Sequence, residues 1–124
     1  MALAPLMLKE TSLSTTTSEA FMPISGMCVT PTEGKYAVFF SASVSSTVSD
    51  AECNLGIFVA NTEIPDASRN VFGDADGRSP NLKMSVFTQT AVEMDGLKAL
   101  SVRWKTDKGV FKIYARNLLL FPIV

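Results

Sequence analysis

The sequence predicts an all-β fold in which antiparallel strands form a sandwich, and three observations lead to this prediction. From Lys35 onward, apolar residues alternate with small or polar ones at period two, which is the side-chain period of a strand. Turn-forming residues recur at intervals of roughly eight to twelve residues. A length of 124 residues suits one core and is too short for two. We therefore expect an antiparallel, jelly-roll-like sandwich of about eight strands.

The first two strands of the predicted sandwich lie in residues 36–44 and 53–60. Every second residue of each is apolar, so one face of each strand should belong to the core. A turn over residues 61–65 then predicts a hairpin. The expected core residues in these strands are Tyr36, Val38, Phe40, Ala42, Val44, Leu55, Ile57 and Val59.

The second half of the chain predicts a further hairpin and another tight turn. Residues 82–94 alternate until Asp95 and Gly96 supply a turn, and residues 107–109 supply the next one. Between these turns, Leu100, Val102 and Trp104 define the inner face of the return strand. Residues 116–124 are apolar without alternation, so we expect them to be buried on both sides.

The first 20 residues differ from the rest, and we divide the chain into an extended N-terminal arm (residues 1–20) and a sandwich domain (residues 21–124). The arm has an apolar start followed by a Ser/Thr-rich run, which favours a strand but offers little core of its own. It could add a strand to its own sheet or to a neighbouring subunit, and the sequence leaves both open. The residues expected to make its contacts are Leu3, Leu6, Leu8 and Leu13.

Composition argues against several classes of function. The formal net charge is −1 and the eleven Lys and Arg residues are scattered among acidic ones, so we expect no nucleic-acid partner. A run of about 18 apolar residues is missing, so we expect no membrane span. Histidine is absent, and neither a G-x-S-x-G motif nor a phosphate-binding glycine motif occurs. We therefore expect no enzyme activity, no catalytic residues and no cofactor.

Two sequence features could suggest a ligand, and each has a simpler interpretation. Asp74, Asp76 and Gly77 resemble part of a calcium loop, but Ser85 stands where the bidentate Glu should be, which favours a solvated turn and no metal site. Trp104 could serve as a stacking platform, but its alternation with the apolar residues of its strand favours core packing.

The two cysteines, Cys28 and Cys53, match no zinc or redox spacing. They allow one disulfide at most. We expect buried free thiols.

Several large apolar residues fall outside the inward faces, among them Phe39, Phe58 and Phe87. A small monomer has little room for them. Strands that are apolar on both faces imply a second buried layer, which other subunits can supply.

Several short segments occur in a familiar order: residues 21–26 (FMPISG), 30–36 (TPTEGKY), 57–59 (IFV), 68–69 (SR), 102–106 (VRWKT), Gly109 and 115–120 (ARNLLL). Together they resemble the jelly-roll heads of tailed-bacteriophage virion proteins, which are similar in fold to tumour-necrosis-factor and complement-type trimers. The resemblance implies a homotrimer in which one sheet of each protomer packs around a threefold axis. We expect Phe39, Phe58 and Phe87 at the interface.

Members of this group serve as capsid decoration proteins or as heads of tail fibres. Fibre proteins usually carry long repetitive shafts, whereas only a short apolar arm precedes the predicted head, so we expect decoration. The partner would then be the major capsid protein, and the location the outer surface of the capsid. The alternative is a receptor- or glycan-binding fibre head that uses the loop of residues 70–81. A glycan hydrolase is disfavoured because its carboxylates would be scattered.

Overall fold

A computed structural model describes residues 4–48, 50–73 and 83–123. Within these ranges the chain forms ten strands and one short 3₁₀ turn, which confirms the predicted all-β fold. The strands are β1 (Leu6–Glu10), β2 (Ser14–Thr16), β3 (Met22–Val29), β4 (Gly34–Ser46), β5 (Glu52–Val59), β6 (Thr62–Glu63), β7 (Arg69–Phe72), β8 (Met84–Met94), β9 (Leu100–Thr106) and β10 (Phe111–Pro122), and the 3₁₀ turn is Pro65–Ala67.

Two antiparallel sheets face each other. Sheet I has the order β1-β10-β4-β8, and β2 also pairs with β10. Sheet II has the order β3-β9-β5-β6, and β7 also pairs with β5. Most neighbours in a sheet are distant in sequence, as β4 and β10 are, so the sandwich is the predicted jelly-roll-like type.

The core lies between the two sheets, and alternation fills it as expected. Tyr36, Val38 and Phe40 project from β4 toward sheet II, and all three are buried. Trp104 is 1% exposed, which confirms core packing over a stacking platform. The remaining fully buried large side chains include Ile24, Met27, Leu55, Ile57, Leu100, Phe111, Ile113 and Leu118.

The turn predicted at Asp95 and Gly96 forms, but the predicted hairpin is wrong, because β8 belongs to sheet I and β9 to sheet II and the turn connects the two sheets. The carboxylate oxygen Oδ1 of Asp95 accepts hydrogen bonds from the amides of Leu97 (2.8 Å) and Lys98 (2.9 Å). Gly96 adopts φ +83°, which a side chain would disfavour. These hydrogen bonds fix the backbone of Leu97, whose side chain is 85% exposed.

The N-terminal arm pairs with its own sheet. β1 lies antiparallel to β10, with Leu6 opposite Leu120 and Leu8 opposite Leu118. Leu6 and Leu8 are partly buried and pack against the core. The arm therefore adds a strand to its own sheet, which is one of the two possibilities that the sequence left open. Leu6 and Leu8 gain apolar contacts there. Leu3 lies outside the described residues.

Two expectations about burial fail within a single protomer. Residues 116–123 are not buried on both sides, because Leu118 and Leu120 face the core whereas Phe121 is 43% exposed on the outer face. Cys53 is a buried free thiol as expected, but Cys28 is exposed because it lies on the outer side of β3.

Candidate assembly surface

The outer face of sheet I carries a continuous group of apolar side chains. Strand register places Met7 beside Leu119, and Leu119 beside Phe39. In the next row, Phe121 lies beside Ala37, which in turn lies beside Ala91. With Phe87, these residues form what we call the apolar face: Met7, Ala37, Phe39, Phe87, Ala91, Leu119 and Phe121.

Aromatic contacts organise the centre of the apolar face. The ring of Phe39 lies 6.1 Å from that of Phe121 in an edge-to-face arrangement and 6.5 Å from that of Phe87, centroid to centroid. Phe87 nevertheless remains 52% exposed and Met7 58% exposed. Contiguous exposed apolar surface of this kind is typical of protein-protein contact sites.

Charged groups stay at the border of the apolar face. Lys35 and Glu93 face each other across β4 and β8, with 3.8 Å between Nζ and Oε1. Both side chains are largely exposed, so water and salt screen the pair and it contributes little stability. The centre of the face therefore presents no charge that burial would have to desolvate.

The other half of the same outer face is polar. Ser41, Ser43 and Ser45 follow one another on β4, and the Ser45 hydroxyl lies 2.8 Å from that of Tyr114 on β10. Lys83 Nζ lies 4.2 Å from the centroid of the Tyr114 ring. The outer surface of sheet I is thus divided along its strands into an apolar and a hydroxyl-rich half.

Sheet II covers its outward aromatic residues with cations. Phe58 is only 6% exposed, and the guanidinium of Arg103 lies 4.6 Å from the centroid of its ring. Lys105 lies at the same distance from Phe21, whose ring meets that of Phe58 edge to face at 5.0 Å. Hydrogen bonds from Arg103 to Ser101, to the Ala60 carbonyl and to Asn61 fix the guanidinium. The two sheets therefore present different chemistry to their surroundings.

A buried arginine fastens the arm to the sandwich. Arg116 is 1% exposed, and its guanidinium donates hydrogen bonds to the carbonyl oxygens of Ser12 (2.8 Å), Ser25 (3.0 Å) and Tyr114 (2.8 Å). Burial lowers the pKa of Arg116, and the nearby Glu10 carboxylate acts in the opposite direction. The role of Arg116 could not be predicted from the sequence, because a polar residue beside an apolar segment gives no indication of the distant groups that it will bond.

Glu10 shapes the bend between β1 and β2. Its Oε1 accepts hydrogen bonds from the amides of Thr11 and Ser12, both at 3.0 Å, and from the Ser12 hydroxyl at 2.9 Å. The pKa of Glu10 is lowered, first by the Ser12 amide, then by the Ser12 hydroxyl and the Thr11 amide. This bend leaves the side chain of Leu13 57% exposed.

The structure separates the residues that the sequence assigned to assembly. Phe39 and Phe87 are neighbours on sheet I, whereas Phe58 belongs to sheet II. In the arm, Leu13 projects outward. Leu6 and Leu8, by contrast, are partly buried within the protomer.

Neither a metal centre nor a membrane-spanning helix is found in the part of the chain that the structure describes. No three or more Cys, Asp and Glu residues come together there in a way that could hold a metal ion. No helix in these ranges is long and apolar enough to cross a bilayer. The sequence Asp74-Ala75-Asp76-Gly77, considered above as a cation loop, lies outside the described residues.

Comparison with known sequences gives no relative: no protein-family model and no curated protein matches the chain. Solved structures, in contrast, share its fold. One is that of the infectious bursal disease virus Gt strain, with a TM-score of 0.62 and 7% identity over 97% of this chain. This chain spans only 33% of that viral protein.

Two further solved structures match over nearly their whole length. The Eiger TNF from S. frugiperda has a TM-score of 0.60 and 11% identity, with 97% of this chain and 93% of that chain covered. The PRD1 vertex protein has a TM-score of 0.59 and 12% identity, with 97% and 96% covered. At these identities the likeness concerns the fold, which is a jelly-roll sandwich shared with viral and TNF-type proteins.

Proposed function

We propose that the protein is a structural component of a tailed-bacteriophage virion, a homotrimer that binds the outer surface of the capsid and stabilises the shell. The observation that carries the proposal is the apolar face of sheet I. Phe87, Phe121 and Met7 are about half exposed there in the isolated protomer, although they touch other apolar side chains. Burying them against other copies removes this surface from water.

The fold supports a trimer as the form of assembly. The PRD1 vertex protein and the Eiger TNF resemble this chain over almost all of its length, and TNF-type proteins are trimers of this fold. In the proposed trimer, Phe39 and Phe87 belong to the subunit interface. Phe58 stays on sheet II, where Arg103 already covers its ring.

The arm supplies the proposed contact with the major capsid protein. Leu13 is the exposed apolar residue at the bend of the arm, while Leu6 and Leu8 serve the protomer's own core. We extend the proposed contact to Leu3 on the basis of the sequence. Many such weak contacts, repeated by symmetry over a shell, resist expansion through avidity without one strong site.

Light scattering coupled to size-exclusion chromatography tests the assembly. The purified protein should elute with three times the 13.4 kDa mass of the chain. A stable monomer at micromolar concentration would reject the trimer and, with it, the proposed role of the apolar face.

Imaging of intact virions tests the location. Extra density on the capsid exterior, absent from particles that lack the protein, is the expected result. Density at the tail would reject decoration and favour a fibre head. A Leu13→Ser variant should remain trimeric but occupy fewer capsid sites, with Leu97→Ser, at an exposed apolar residue on another loop, as the matched control.

A further inference from the structure

We infer that, in the trimer, Met7 of one copy packs into a hollow at the β8 edge of the next copy. The inference rests on the proposed homotrimer and specifies which edges of sheet I meet. The two edges are different surfaces: β1 forms one and β8 the other. A ring of three identical chains needs two such different, complementary surfaces on each chain.

The hollow lies beside the apolar face and has a volume of about 360 Å³. Ala37 and Phe39 line it from β4, while Gln89 and Thr90 line it from β8. Asp66, from the 3₁₀ turn, completes the rim and accepts a 2.8 Å hydrogen bond from the Thr90 hydroxyl. Its lining is thus apolar at Phe39 and acidic at one border.

Strand register places Met7 and the hollow in the same row of the sheet. Met7 lies opposite Leu119, Leu119 opposite Phe39, and Phe39 opposite Gln89. The row therefore begins with an exposed methionine at one edge and ends in the hollow at the other. A thioether beside an aromatic ring is a favourable contact, and the flexible methionine side chain adapts to an irregular space.

Threefold symmetry brings the two ends of the row together. When sheet I faces the threefold axis and its strands run along it, rotation carries each row onto the same level of the neighbouring copy. The β1 edge of one copy then meets the β8 edge of the next, and Met7 arrives at the level of Phe39 and Gln89. The same contact is made three times, and the third one closes the ring.

Charge at the two edges is complementary. Lys9 follows Met7 by two residues on β1, so its side chain leaves the strand on the same outer face. Asp66 stands at the rim of the hollow with an exposed side chain. In this pairing Lys9 arrives at the level of Phe87, whereas Asp66 lies beside Thr90 on the other side of Gln89, so the two opposite charges approach each other across the contact without forming an ion pair. Pairing of two like edges would bring like charges together instead.

Cysteine cross-linking tests the inference. Met7→Cys and Gln89→Cys are introduced together in a Cys28→Ser background, which removes the exposed native thiol. Within one chain the two positions are three strand spacings apart, about 14 Å, which is too far for a disulfide. Any disulfide between them must therefore join two copies. Light scattering on the reduced variant verifies the trimer before oxidation.

The expected result is that oxidation shifts most of the double variant to dimer and trimer bands on a non-reducing gel, with none larger than a trimer. Each single variant should stay monomeric on that gel. A trimer in solution without cross-links, or a dimer formed by either single variant, would overturn the edge pairing and leave the homotrimer standing. A monomeric wild-type protein would instead overturn the proposed function itself.

Discussion

The guanidinium of Arg116 donates a hydrogen bond of 2.8 Å to the carbonyl oxygen of Ser12, and so ties the bend of the arm to the last strand. The same side chain reaches Ser25 and Tyr114, so a single residue joins β10 to the arm and to β3. The arm is thereby an integral part of the folded protomer.

Replacement of Arg116 should destabilise the protein by about 2–4 kcal/mol, because Arg116→Met keeps most of the stem but leaves three carbonyl oxygens without their donor. Urea unfolding measures the loss. Lys112→Met on the same strand is the control and should change stability by less than about 0.5 kcal/mol. Equal stability of the two variants would contradict the anchoring role of Arg116.

Glu10 should make stability depend on pH. Since its pKa in the folded protein lies below the ordinary value of 4.5, the ionised carboxylate stabilises the fold above that pH, and this contribution is lost as pH falls through the lowered pKa. Glu10→Gln should therefore be less stable than wild type at pH 7 and approach it near pH 3. Urea midpoints at both values provide the measurement. Glu93→Gln is the control, because the ion pair of Glu93 is exposed, and its stability should differ little from that of wild type at either pH. If the stability difference between Glu10→Gln and wild type did not narrow in acid, the role of ionisation would be refuted.

Phe87→Asp should weaken the trimer at least about tenfold, because the carboxylate would have to be desolvated within the apolar face. Phe87 is 52% exposed in the protomer, so the fold should persist. Leu97→Asp, at a residue that is 85% exposed on the β8–β9 turn, is the matched control and should leave the trimer intact. Sedimentation at several concentrations measures how strongly each of the two variants trimerises. A Phe87→Asp trimer as stable as the wild-type trimer would show that the interface lies elsewhere.

Gly109→Ala should destabilise the protein more than Gly96→Ala, although both glycines have a positive φ, +68° and +83° respectively. The conformational cost is about 1–2 kcal/mol in each case. At Gly109 the new Cβ also clashes with the side chain of Val48, of which Cγ2 is the nearest atom and Cβ lies at 2.9 Å, whereas the nearest atom at Gly96 is the Glu33 nitrogen at 3.3 Å. Thermal unfolding should show the difference. Val48→Ala added to Gly109→Ala should recover part of the loss, and failure to do so would exclude the clash.

One of the two thiols should react in the native state. Cys28 is exposed, whereas burial raises the pKa of Cys53 to about 12. A thiol reagent at pH 8 should therefore modify one cysteine per folded chain and two after denaturation, because the thiolate is the reactive form. Cys28→Ser should abolish the native reaction. Rapid modification of two thiols in the native protein would contradict the burial of Cys53.

The amino-acid sequence by itself determined the strands and their inward faces. Alternation in β4 identified Tyr36, Val38 and Phe40 as core, and alternation in β9 did the same for Trp104. Asp95 and Gly96 marked a tight turn that the structure contains, but not the sheet-to-sheet connection that it makes between β8 and β9. These properties can be predicted from the sequence because the side-chain period of a strand and the conformation of a turn depend on residues that are neighbours in sequence.

Only the tertiary structure decided how outward residues are grouped. Phe39 and Phe58 look alike in sequence, yet pairing of β4 with β8 and β10 leaves Phe39 among apolar neighbours, while pairing of β5 with β9 brings Arg103 over Phe58. Likewise, Arg116 is buried because Ser12 and Ser25, which are 104 and 91 residues away, supply its acceptors. Contacts between strands so distant in sequence arise from the order of strands in each sheet, which a local period does not encode.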